Sequence, residues 1–129
     1  MAEEPAQFQQ RLLGTFLKEA QVHMAAVSGS LEKLNQEPGS DAILYDLIRS
    51  VHSLKGAASA VELEDAAFIG QSLEQVLHKV RRGERETDAA FRELFRQGLE
   101  LFESGLAELA IGGKFTVSFQ FLESVRKLM

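Results

Sequence analysis

Apolar side chains in this chain recur three and four positions apart, in four blocks separated by turn residues. The first block is Leu13, Phe16, Ala20, Met24, Val27, Leu31 and Leu34. The second runs Leu44, Leu47, Val51, Leu54 and Ala58, and the third Ala66, Ile69, Leu73, Val76 and Val80. The fourth takes in Phe91, Leu94, Phe95, Gly98, Phe102, Leu106 and Leu109. Such spacing puts each block on one face of an α-helix. A helix with one apolar face has to bury it, and four of them joined by short turns do so side by side. The expected fold class is all-α, an antiparallel up-down four-helix bundle over about residues 6–111.

Breaker and cap residues place the ends. Pro5 is expected to precede the first helix, and Ser28-Gly29-Ser30 offers it a kink or an early end because these are poor helix formers. Pro38-Gly39 marks a turn, after which Ser40 or Asp41 caps a helix running to about Ala60. A short turn at Val61-Glu62-Leu63 leads into the third helix, where Glu64 and Asp65 complement the positive end. Gly83 is the expected C-terminal cap. Thr87 is expected to cap a fourth helix that reaches about Ala110 and stops at Gly112-Gly113. Beyond Lys114 two patterns compete: Phe115, Val117, Phe119 and Phe121 alternate like a strand, whereas Phe119, Leu122, Val125 and Leu128 fit a helix.

Composition then narrows the function. A chain of 129 residues makes one domain, here taken as residues 1–129, with enough length to bury a core. Without cysteine it has no disulfides and no thiolate metal sites. Glu-x-x-His pairs on facing helices are absent, and Glu74 with His78 is a single pair, so no metal site is expected. A net charge of −5 argues against nucleic acid. Apolar runs too short for a bilayer and an acidic start at Met1-Ala2-Glu3-Glu4 argue against membrane or export, so a cytoplasmic location is expected. Lys79, Arg81, Arg82 and Arg85 form a basic cluster that suits a helix C-terminus and could also meet an acidic partner.

His52 lies outside the apolar seam of its own helix, turned towards water. Lys55 and Gly56 follow at i+3 and i+4 and share its surface patch. Neutral imidazole is a nucleophile near pH 7. An ammonium one turn away can neutralise phosphate oxygens, and a glycine leaves room for the group and for a partner. Gly56 costs about 1 kcal/mol relative to alanine within a helix, so access to His52 or close helix packing must justify it. Glu74 sits one residue beyond the third helix's seam, as His52 does beyond the second, so the two can meet across a helical hairpin. His23 and His78 read as ordinary surface or core-edge histidines, with His78 a secondary candidate for tuning the site.

His52-Ser53-Leu54-Lys55-Gly56-Ala57-Ala58 resembles the His-x-x-Lys-Gly motif of histidine phosphotransfer (HPt) domains, above all the N-terminal phosphoacceptor domain of CheA-type chemotaxis histidine kinases. Leu73-Glu74-Gln75-Val76-Leu77 with Arg82-Gly83 resembles the next helix of that family. The resemblance implies that Glu74 hydrogen-bonds and orients His52, the phosphoacceptor. It implies a γ-phosphoryl group taken from ATP on a separate CheA-type kinase domain and passed to an aspartate of a response-regulator receiver domain. ATP and Mg2+ would then belong to the kinase domain, and this chain, which has no Gly-x-x-x-x-Gly-Lys-Ser/Thr loop, would carry no cofactor of its own. The family also favours an additional C-terminal helix over about residues 114–129 and a monomeric isolated domain, and the stop at Met129 without a tail suggests a piece of a longer protein. Exposed apolar residues near His52, such as Ile48, are the expected docking points for the receiver. Three positions depart from the family pattern: Glu62 and Ala57 stand where glycines are common, and Gln71 where a second histidine is. The competing reading is a helical scaffold that has lost phosphotransfer.

Overall fold

A computed structural model describes residues 3–129; Met1 and Ala2, where the acidic N-terminus begins, lie outside the described residues. Every regular element among them is helical: α1 (Pro5–Gln36), α2 (Asp41–Ala60), α3 (Glu64–Arg81), α4 (Ala89–Ala110) and α5 (Phe119–Leu128). The first four form the up-down bundle. α2 packs along its length against α1 on one side and α3 on the other, while α4 meets α3 and, sparingly, α1. Their shared interior holds Phe16, Val27, Leu47, Leu54, Ile69, Leu73, Leu77, Phe91, Phe95 and Phe102, all buried.

Pro5 is the first residue of α1, where its missing N–H costs nothing. Ser28-Gly29-Ser30 does not end α1 early; the helix runs on through it to Gln36. Val27 and Leu34 are buried on either side of that triplet, and their packing outweighs a propensity deficit of about 1 kcal/mol per poor residue. Three helices start alike. The side-chain oxygens of Ser40, Asp88 and Ser118 accept from the backbone N–H three residues on, at 3.3, 3.0 and 3.1 Å. Such a cap stabilises a helix by about 1 kcal/mol. Asp88, not the expected Thr87, therefore caps α4: its carboxylate reaches the Phe91 N–H.

The tail forms no strand, and its helix is shorter than the expected 114–129. Residues 113–118 are irregular, with Phe115 buried and Val117 half-buried, and α5 begins only at Phe119. Phe121 and Leu128 are the buried residues of α5, whereas Phe119 and Leu122 of the expected helical face are exposed. The Phe115 ring fixes this register. It fills the space a side chain at Gly105 would need and meets Phe102 edge-on, with ring centroids 5.2 Å apart. None of the helices is long and apolar enough to cross a membrane, among the described residues.

Candidate functional site

α2 and α3 pack backbone to backbone at Gly70. A Cβ there would lie 2.9 Å from Lys55 Cβ and 3.0 Å from Lys55 Cα. The missing side chain lets the two backbones nearly touch, and one turn further along α3 the Glu74 carboxylate arrives beneath α2. Its Oε2 lies 2.6 Å from His52 Nδ1, and its Oε1 accepts from Lys55 Nζ at 2.5 Å. Lys55 Nζ also donates to Gln71 Oε1 at 3.1 Å. Gln71, expected only as the loss of a histidine partner, thus enters the network from α3.

Burial divides these groups. The Glu74 side chain keeps 9% of its surface and Lys55 22%, while His52 keeps 66%. Burial alone would raise the Glu74 pKa and is the largest single influence on it. The hydrogen bonds and charges of Lys55 and His52 together outweigh burial and hold the carboxyl below its ordinary 4.5. An ionised carboxylate only accepts, so Nδ1 of His52 carries the hydrogen and Nε2 keeps its lone pair. The exposed ring thus offers a free nucleophilic nitrogen, held in one orientation from behind.

A Cβ at Gly56 would meet nothing within 4 Å, so that glycine leaves open space beside the site and is not a packing notch. Gly70 is the packing glycine. It carries the same helix penalty as Gly56. Ile48, expected among exposed docking residues, is buried at 8% exposure. The exposed aromatic residues on these two helices are Tyr45 and Phe68. An open depression at His52 is lined by Ile48, Arg49, Ser53, Glu74 and His78. His78 is half-buried, and its Nδ1 is enclosed without a hydrogen-bond partner. His23 belongs to a separate groove between α1 and α2. Of the basic cluster, Arg82 pairs with Glu84 and Arg85 with Asp88.

The Hpt domain family model matches residues 11–105, a stretch that takes in the four helices of the bundle up to the last turns of α4. The chain belongs to the Hpt domain family. It is a histidine phosphotransfer domain of a phosphorelay signalling system, built as a helical bundle. It is similar to the chemotaxis protein CheA of Halobacterium salinarum, 27% identical over 101 residues covering 78% of this chain and 15% of that protein. CheA of Bacillus subtilis is 26% identical over 101 residues, with the same coverage of 78% and 15%. CheA of Treponema pallidum is 24% identical over 106 residues, 82% of this chain and 13% of the relative. The Hpt domain thus spans about 15% of the length of the curated relatives it matches. No solved structure matches it.

Proposed function

We propose that His52 is the phosphoacceptor, taking the γ-phosphoryl group of ATP from a CheA-type kinase domain and passing it to an aspartate of a response-regulator receiver. The single observation carrying this reading is the 2.6 Å contact of Glu74 with Nδ1 of a ring that otherwise faces solvent. In the forward step the Nε2 lone pair forms the N–P bond while the bond from phosphorus to the bridging β–γ oxygen breaks, and ADP leaves. No proton has to move. The product imidazolium keeps its Nδ1 hydrogen, and its positive charge rests against the Glu74 carboxylate. Transfer onward breaks the N–P bond as a receiver carboxylate oxygen attacks phosphorus, returning neutral imidazole. Lys55 keeps Glu74 ionised and fixed, and Gly56 leaves room for the incoming domain.

ATP and its Mg2+ belong to the kinase domain in this reading, with the Hpt domain as a monomeric carrier in the cytoplasm. Its relatives being CheA proteins, the natural setting is a CheA-type chemotaxis kinase. The test supplies a CheA-type kinase core and radiolabelled ATP to wild type and His52→Gln. Acid-labile label on wild type, absent from a variant with unchanged helical circular dichroism, is the expected result. Label retained by the variant overturns the assignment of His52. Wild type that takes no label from its own kinase core is a scaffold that has lost phosphotransfer.

A further inference from the structure

The cation expected to meet the phosphoryl group, Lys55, is already engaged. Two of its three N–H bonds go to Glu74 and Gln71, and its charge is matched by a carboxylate at 2.5 Å. Drawing it out to a phosphate would leave Glu74 almost buried with half of its partners gone. Another positive group lines the same depression as the ring. Arg49 is three residues before His52 on α2, so the two side chains are neighbours on one helix face. It is exposed and lines the His52 depression. Among the described residues it forms no ion pair with any carboxylate. Its guanidinium rests over the exposed Tyr45 ring, 5.9 Å from the centroid, a weak hold at an exposed site.

We propose that Arg49, rather than Lys55, is the residue that binds the phosphoryl oxygens on His52. This rests on His52 being the acceptor. A planar guanidinium presents paired N–H donors that match two phosphate oxygens at once, which an ammonium does not. The other charged or titratable groups around this surface compete little for that role. Glu74 and Lys55 neutralise each other, and His78 encloses its Nδ1 in the bundle. Asp46, His23 and Lys33 line the groove on the α1 side, where Arg49 and Ser53 also appear, so Arg49 stands on the ridge between the two depressions. The guanidinium has only to leave the Tyr45 face and turn along its own helix to reach phosphorus-bound oxygen at His52. The phosphorylated site would then balance as a whole, with imidazolium, Lys55 and Arg49 set against the Glu74 carboxylate and the phosphoryl dianion.

The test avoids the kinase. Phosphoramidate transfers its phosphoryl group to imidazole nitrogen and releases ammonia, so it can load wild type, Arg49→Gln and Arg49→Lys alike, with His52→Gln as the blank that assigns the signal. Phosphorus NMR then follows the titration of the phosphoryl group on His52. Losing Arg49 as glutamine should raise that pKa by roughly 0.7 of a unit, the pull of one unit charge about 4 Å away in water. Lysine should restore most of the shift but not the full value. Equal titration curves for all three proteins would remove Arg49 from the phosphoryl group and leave the acceptor untouched. If phosphoramidate adds no His52-dependent signal to wild type, the acceptor assignment itself fails, and Arg49 with it.

Discussion

Glu74 has little access to water, yet it stays ionised because two donors reach it from the neighbouring helix. Its pKa lies below the unfolded value near 4.5, so the ionised form is bound more tightly in the folded chain. The sign follows from linkage: this stabilisation is complete above the unfolded pKa and is lost as pH falls through the folded one. Glu74→Gln should cost about 2 kcal/mol at pH 7, the scale of hydrogen bonds to a charged group. In urea titrations the gap between variant and wild type should hold from pH 7 to 5 and narrow below 4.5. A gap unchanged at pH 3 would mean that the carboxylate charge contributes nothing. The variant should also take up phosphate more slowly, since an amide can present its N–H to the ring. At this scale the sequence was informative about backbone-fixed positions: His52 and Glu74 lie one step beyond their seams, and helical geometry does the rest. It was uninformative about reach. Lys55 has four rotatable bonds, and only the opposing helix decides that its ammonium turns to Glu74 and Gln71. Gly70 is not legible in the same way, because a glycine in a helix shows its cost in the sequence but not the backbone it admits.

α2, α3 and α4 end in the same way. The N–H groups of Leu63, Glu84 and Gly113 bond the carbonyls of Ala58, Lys79 and Glu108, five residues back, around a residue in the left-handed conformation. In two of the three that residue is glycine, Gly83 and Gly112, with φ at 75° and 83°. In the third it is Glu62, at φ 60°. A side chain in that conformation costs about 1–2 kcal/mol, part of which glycine gives back through a freer unfolded chain. Glu62→Gly should therefore stabilise the domain by roughly 0.5–1 kcal/mol in urea melts, and a loss of stability would show that the glutamate side chain itself holds the turn. The departure from the family pattern at this position leaves the turn's shape intact and makes it costlier. Helix spans were largely legible because periodicity, caps and breakers agreed; α2 occupies the expected Asp41–Ala60. The tail was not, because the register of α5 depends on Phe115 seated against Gly105, a contact between α4 and the connection that no local pattern encodes.

In the whole molecule the site and the C-terminal element lie on separate contacts. His52 and Glu74 belong to the α2–α3 pair, while α5 packs against α4. Phe115→Ala should cost about 3 kcal/mol by emptying a buried aromatic site and lower Tm by roughly 10 °C. His52 labelling by a kinase core should persist at its wild-type rate below that Tm; a rate that falls with stability would show that α5 supports the site. The close approach of Gly70 to Lys55 has a mechanical meaning as well. When two packed helices tilt slightly against each other, the tightest contact moves least, and displacement grows with distance from it. His52 is three residues from Lys55 along α2, a lever of about 4.5 Å, while Asp41 stands at the end of one of about 21 Å. A rocking of about 5° would move the helix end by nearly 2 Å and the His52–Glu74 pair by only about 0.4 Å. The reacting ring sits almost at the fulcrum, so a docking protein could push the bundle's end without disturbing the bond that aims the nucleophile.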